Sequence, residues 1–544
     1  MKKYFIYAAS ALALASCSSD DFLGENPGDV QNATTAINFS GDAGKITRAT
    51  SNTGTPQKML DGQFKVYGVK NVNDKLVSVF PNYYVWDVAD MNTTSNTNGW
   101  EYVGKKDNTN LGTGKITLTK DQTIKYWDYS ASEYHFVAGS PIEAFVYDVP
   151  SDGTTKKINS ATISGLAGHI EANETGTALA TNPVYVAAPV KVEKANYQKP
   201  VVFTFVRQQA MVRVGLYETI PGYSITDIKF YKAEATAATS NNVILTSDTE
   251  GYFVGGSNLT GTVTYDWTTA TPSYTYTYDD TNLKKSKNWY AGKLSTLTTT
   301  STDQVANLYG TDKDMSTTGY FTVLPTPSAT GQKAIVIKCD YTLTSDDGSG
   351  ETIKVTGATA AIPAAYSKWE ANTRYTYLFK ISQNTNGTTG TPGVDQAGLY
   401  PITFDAVVTE TTDKTLGTTT TVATPSITTY QEGSVTDNGI EYKTGKEIKV
   451  TVTNDKGDVQ NLAAGGTVVG SVAVYKFTDA INETEIQVKG ITGATPVTGT
   501  VTDNVFTFKP ESVGFYAIQY LTEEATTTVP AKPAAYTYKV VEVK

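Results

Sequence analysis

The sequence predicts an all-β fold of tandem β-sandwich domains, and three observations lead there. From about residue 63 onward, short segments alternate apolar and polar residues, with Asn, Gly, Asp and Ser clusters between them. The composition suits pleated sheet: tyrosine (35) far exceeds histidine (2) and methionine (5), and threonine and glycine are abundant. Rings and β-branched side chains fit a half-buried pleated surface, and glycine serves its turns. No long helical periodicity intervenes, so helix content should be low. The 544 residues set a prior of three or four domains, and 39% hydrophobic residues can fill several cores.

The chain opens with a positive pair, Lys2 and Lys3, followed by a short apolar segment over residues 4–14. That segment is too short to span a bilayer as a mature helix, so residues 1–16 read as a signal peptide. It ends in Leu14-Ala15-Ser16-Cys17, which resembles the lipobox of bacterial lipoproteins, with Cys17 as the thiol that takes the lipid. The plainer alternative is a secreted protein with a coincidental cysteine. Ser18-Ser19-Asp20-Asp21 looks like the acidic surface-export tag of Bacteroidetes lipoproteins, or else a solvated linker.

Residues 17–48 form a polar tether with one short strand in it. Ala36-Ile37-Asn38-Phe39-Ser40 alternates apolar and polar residues. Ile46-Thr47-Arg48-Ala49-Thr50 follows, where an arginine before small residues in a polar segment invites a trypsin-like cut between Arg48 and Ala49.

The first sandwich is expected over residues 49–215. Its strands include Phe64-Lys65-Val66-Tyr67-Gly68, Tyr83-Tyr84-Val85-Trp86 and Tyr134-His135-Phe136-Val137-Ala138, with the strongest strand region over residues 201–214. A second sandwich should occupy residues 216–410. Within it, residues 256–305 read as a long hairpin or loop excursion, and residues 375–381 with 402–407 close the unit. Residues 411–425 are a threonine-rich linker. The third unit, residues 426–544, has late strands that suggest an immunoglobulin-like sandwich, and Pro530 and Pro533 precede a final strand run, Tyr536 to Val543.

The residues argue against several functions. The formal net charge is −10, with acids and bases interspersed and no basic run to neutralise phosphates, so no nucleic-acid partner is expected. His135 sits in a strand pattern and His169 in a turn-like stretch, and neither lies near a nucleophile elbow, zinc-ligand spacing or phosphate loop. Asp346-Asp347-Gly348 reads as a hairpin turn rather than a calcium loop. Cys339 lies in an apolar strand run and reads as a buried small hydrophobe. No catalytic residue, metal or cofactor is expected.

Several local patterns resemble the fimbrillin family, the type V pilins of Bacteroidetes. They are Phe64-Lys65-Val66-Tyr67-Gly68, Lys125-Tyr126-Trp127-Asp128 with Tyr134-His135-Phe136 and Ser140-Pro141, and Trp369-Glu370-Ala371-Asn372-Thr373-Arg374-Tyr375-Thr376-Tyr377. The similarity spans roughly residues 1–410; the third unit departs from the family's two-domain shaft pattern. The resemblance implies two transthyretin-like fimbrillin domains and a precursor held in the outer membrane by lipid on Cys17. It further implies a cut after Arg48 that removes the first strand, and then polymerisation with other fimbrial subunits into an extracellular cell-surface fimbria. Ile37, Phe39 and Ile46 mark the strand to be lost. Tyr536, Tyr538, Val540, Val541 and Val543 mark the candidate donor that refills its groove. On this reading, deleting residues 534–544 should abolish polymerisation and leave the monomer folded. Host glycans or proteins are the further partners such a subunit could meet.

One alternative stays open: a permanently anchored surface glycan-binding lipoprotein. Exposed Trp86, Trp100, Trp267 and Trp289 would then stack on sugar rings, whereas core packing is their plainer role.

Overall fold

The computed structural model describes residues 36–41, 60–87, 99–103, 122–147, 160–168, 183–218, 222–266, 272–278, 284–293, 321–326, 331–381, 388–389, 402–404, 406–409, 419–422, 425–436, 439–454, 458–527 and 533–544. It is a succession of β-sheets packed as sandwiches, in accord with the alternating pattern. Among the described residues the single α-helix is Glu483–Lys489.

The first sheet runs in the order Phe205–Arg207, Tyr185–Ala187, Glu133–Ser140, Gln63–Val72, Lys75–Asp87, Trp100–Glu101. Gln63–Val72 and Lys75–Asp87 form a hairpin whose two loop residues, Asn73 and Asp74, both have positive φ (52° and 62°). That geometry matches the right-handed twist of the flanking strands, and Asn and Asp tolerate it better than most residues. The central strand Gln63–Val72 is buried on both faces. Phe64 and Val66 enter one core with Ile37, Phe39, Phe80, Phe136 and Phe203, while Tyr67 and Val69 enter another with Tyr147, Val263 and Tyr265.

That second core joins two parts of the chain. Phe253–Asp266 and Ser273–Tyr278 form the hairpin expected within residues 256–305, and Phe253–Asp266 also pairs with Ser160–Gly168. A continuous sheet therefore carries strands from either side of the anticipated boundary near residue 215.

The strand region over residues 201–214 is divided in the structure among three sheets. Val201–Phe203 pairs with Phe39–Gly41, Phe205–Arg207 with Tyr185–Ala187, and Ala210–Glu218 with Arg374–Ile381. Buried Gln208 and Gln209 make the break. The Gln208 amide donates to the Val184 carbonyl at 2.8 Å, and the Val184 amide donates to Gln209 Oε1 at 2.9 Å. These bonds replace ladder partners, so a largely apolar run turns from one sheet to the next.

The next unit faces two sheets over a core containing Val212, Ile244, Trp289, Ile337, Cys339, Trp369 and Phe379. Ile335–Ser345 alternates buried and half-buried positions along its length, and Cys339 is fully buried on the core side. Burial pushes its thiol well above the usual range, so it packs as a small apolar group. Asp346, Asp347 and Gly348 lie in the turn joining Ile335–Ser345 to Thr352–Ile362, with Gly348 at φ 79°. Ile402–Phe404 and Ala406–Thr409 both pair with Arg374–Ile381.

Beyond residue 425, a four-stranded sheet (Ser426–Tyr430, Ile448–Thr453, Val505–Phe508, Gly499–Thr502) faces a five-stranded one. The latter orders Ala463–Ala464, Ser471–Phe477, Gly514–Glu523 and Ala535–Val543, with Thr495–Val497 beside Ser471–Phe477. Their core includes Ile448, Val450, Val474, Phe508, Tyr516, Ile518, Val541 and Val543.

Candidate functional site

The most chemically specific feature among the described residues is a groove in the first unit, and residues 36–41 fill it. Phe39–Gly41 lies parallel to Val201–Phe203, in register Phe39 to Val201 and Gly41 to Phe203. Ahead of it, Ala36 makes an isolated antiparallel bridge to Tyr126. The segment is thus held by a few backbone bonds along a short pairing. The Ile37 amide donates to the Lys125 carbonyl and the Val201 amide to the Asn38 carbonyl, each at 2.8 Å.

Side chains hold it more firmly than its backbone does. The period of two sends Ile37 and Phe39 to the same face, and both have 0% exposure. The Phe39 ring meets five others: Phe64, Phe80, Tyr102, Phe136 and Phe203, with centroid distances of 6.3, 5.1, 5.6, 6.0 and 5.6 Å. Full burial of each such side chain is worth about 1.5–3 kcal/mol, so the apolar contribution dominates the hold.

The floor of the groove is set by Gly68. A Cβ there would stand 2.7 Å from Phe136 Cδ1 and 3.2 Å from Phe80 Cδ2, so only glycine lets both rings close in under Phe39. The wall is Tyr102, whose hydroxyl donates to the Ile37 carbonyl at 2.9 Å and accepts the Lys125 amide at 3.1 Å. Burial pushes its phenol well above the usual range and keeps the proton that makes this bond. Without residues 36–41, the groove would present a ring-lined apolar slot, the Val201 amide without its Asn38 acceptor, and a Tyr102 hydroxyl without its Ile37 acceptor.

Of the strand residues read from the sequence as temporary, Ile37 and Phe39 meet in this groove. Ile46, Arg48, Ala49 and Cys17 lie outside the described residues, as do His169 and Trp267. The groove's own residues, Tyr102, Val201, Phe203 and Gly68, were not singled out by sequence as partners of that segment. The signal available was the glycine inside the apolar run Phe64-Lys65-Val66-Tyr67-Gly68, since glycine within a strand marks a close approach.

The other candidate segment is a working part of its own sheet. Ala535–Val543 pairs antiparallel with Gly514–Glu523 from end to end and forms that sheet's edge. Tyr536, Tyr538 and Val540 are half-buried, whereas Val541 and Val543 enter the core and are 3% and 1% exposed. Deleting residues 534–544 would therefore strip both valines from that core. The expectation that such a deletion leaves the monomer intact has the loss of these two buried side chains set against it.

Trp86, Trp100 and Trp289 are at most 1% exposed, so in this structure none of the three offers a ring face to a sugar. His135 is buried beside Glu133, with its Nε2 at 3.0 Å from Glu133 Oε1. Among the described residues, no three His, Cys, Asp or Glu side chains converge as metal ligands, and no helix is long and apolar enough to cross a membrane.

No family model matches this chain, and no curated protein does. Solved structures do align with it. A fimbrial protein from Bacteroides vulgatus aligns at 13% identity over 65% of this chain and 98% of its own, with a TM-score of 0.38. A candidate cell adhesion protein from Bacteroides uniformis aligns at 13% identity over 69% and 99%, with a TM-score of 0.27. Another, from Bacteroides fragilis, aligns at 10% identity over 66% and 99%, with a TM-score of 0.25.

Proposed function

We propose that this chain is a structural or adhesive subunit of a cell-surface fimbria, without catalytic activity, assembled by β-strand exchange. It would be exported as a lipoprotein anchored through Cys17 in the outer membrane, then cut between Arg48 and Ala49. The cut would detach residues 36–41 from the rest of the chain and leave them held in the groove by contacts alone. Their departure opens the slot, and a strand from another subunit, with Ala535–Val543 as the candidate, takes their place. Repetition gives a head-to-tail filament, because groove and donor lie on different sheets of one molecule.

The observation that carries this reading is the seating of Ile37 and Phe39. A short segment with little backbone pairing occupies a pocket built of five aromatic rings, ahead of a basic residue fit for cleavage. Such a seat is apolar enough to hold a strand, and short enough on hydrogen bonds to let one leave once the chain is cut.

The test uses purified precursor trimmed by trypsin, with the new amino terminus read by mass spectrometry. Trimmed protein starting at Ala49 should grow filaments visible by electron microscopy. A synthetic peptide covering residues 30–48 should stop that growth by refilling the groove. Trimmed protein that stays monomeric, or growth indifferent to the peptide, counts decisively against strand exchange.

A further inference from the structure

The strand Ala535–Val543 has a full strand partner on one side only, with a single bridge from Val543 to Tyr442 on the other, yet its outer edge is not bare. Strand periodicity turns the outward backbone groups to alternate residues, and the three outer contacts all fall on even positions. The Val540 amide donates to Glu483 Oε1 at 2.9 Å, Gln487 Nε2 donates to the Tyr536 carbonyl at 2.6 Å, and the Lys544 amide donates to the Tyr442 carbonyl at 2.9 Å. Two of these three come from side chains of the helix Glu483–Lys489.

That helix is placed with care. Asn482 caps it, accepting the Glu485 amide at 2.9 Å while Glu485 reaches back to the Asn482 amide. Glu483 and Gln487 stand four residues apart and so share a helical face, about 6 Å from each other along the axis. Tyr536 and Val540 are about 13 Å apart along the strand, and the long Glu and Gln side chains splay to span the difference. The helix also meets the preceding unit, where Thr359 and Thr484 hydroxyls lie 3.2 Å apart. Helix cover of an exposed edge is a known way to stop strands of another molecule from adding to it.

We propose that the helix Glu483–Lys489 is an edge guard that keeps Ala535–Val543 in its own sheet and bars a second copy of this chain from pairing along it. The guard rests on the strand-exchange reading for its place in assembly: the donor strand stays sequestered until the helix moves aside. Side-chain caps suit that task, because they occupy the outward donor and acceptor that an incoming strand would need, and free them when the helix moves.

The experiment uses the untrimmed protein carrying Glu483→Ala and Gln487→Ala together. Hydrogen exchange at the Val540 amide should become about tenfold faster, since its acceptor is gone. The variant should also form concentration-dependent dimers, by analytical ultracentrifugation, under conditions where the parent is monomeric. Glu483→Gln keeps an acceptor oxygen and should behave as the parent does. If the double variant fails to fold, Gln487→Ala alone leaves the cap intact and takes the same dimer measurement. Unchanged Val540 exchange overturns the guard, and so does faster exchange in a protein that remains monomeric. Neither readout involves cleavage at Arg48 or filament growth, so failure of the filament reading would register separately.

Discussion

The ring of Phe39 stacks on that of Phe203, centroids 5.6 Å apart and planes inclined by 22°, while the backbones of the two residues belong to neighbouring parallel strands. One side chain from a segment near the start of the described chain thus completes a core whose other members are Ile37 and residues between 60 and 205. Replacing it by alanine removes a buried ring that has nowhere to be replaced from. Phe39→Ala should cost the first unit about 3–5 kcal/mol. Hydrogen exchange read by mass spectrometry should show lost protection in Gln63–Val72 and none in Ile448–Thr453. Equal protection of Gln63–Val72 in parent and variant would mean that Phe39 is not part of that core.

Tyr102 makes a narrower prediction. Its hydroxyl is the wall's polar contact to the Ile37 carbonyl, and Tyr102→Phe removes that bond together with the one it accepts from the Lys125 amide. The cost should be about 1–3 kcal/mol, with the ring packing kept. In precursor already nicked at Arg48, residues 36–41 are held without a covalent link. Their dissociation, followed by size exclusion and mass spectrometry, should be about tenfold faster in the variant. No change in that rate would show the segment to be held by its apolar side chains alone.

His135 ties the same unit to pH. Burial lowers its pKa from 6.5, against the opposing pull of Glu133, and Lys191 on the neighbouring strand lowers it further. The fold therefore favours the neutral ring. Below about pH 6.5 the unfolded chain takes up a proton that the folded one refuses, so stability is present above that pH and is lost as pH falls. Glu133 is a separate matter: burial raises its pKa, but Lys191 and His135 more than offset this and hold it below 4.5. Its contribution is present above that value and fades at lower pH. Urea midpoints of the first unit should drop between about pH 7.5 and 5.5, and His135→Asn should flatten that slope. An equal slope in parent and variant would exclude His135 as its source.

Much of this architecture was legible because strands with one buried face write their period into the chain. Ile335–Ser345 is a clear case: Ile335, Ile337, Cys339, Tyr341 and Leu343 alternate into the core. Ile37 and Phe39 were legible for the same reason. What the period of two cannot state is which sheet a strand joins. The region over residues 201–214 reads as one strand because β-branched and apolar residues dominate both of its ends, and the tertiary partners of Gln208 and Gln209 divide it. The helix Glu483–Lys489 was missed although Asn482 and Glu485 have the spacing of a capping box, because seven residues are too few for helical periodicity to stand out. The sequence also presented Tyr536 to Val543 as a detachable strand, since nothing local reveals that Val541 and Val543 fill a core built from residues 442 to 520.

Gly68 allows the sharpest test of how the groove is built. Its missing side chain is where the Phe136 and Phe80 rings close in, 2.7 and 3.2 Å from the place a Cβ would occupy. Both rings also touch Phe39, so space taken at position 68 must be recovered on the far side of those rings. Gly68→Ala alone should destabilise the first unit by about 1–3 kcal/mol through overpacking. Phe39→Leu alone loses ring contacts but vacates volume beside the same two rings. The two changes therefore should not add: the double variant should be more stable than the sum of the singles predicts, by about 0.5–3 kcal/mol. Strict additivity in a four-member denaturation cycle would show that the rings yield elsewhere and that Gly68 does not shape the seat of Phe39. Coupling of the expected sign would make Gly68 a determinant of which side chain an incoming strand can place there, with smaller residues favoured as position 68 grows.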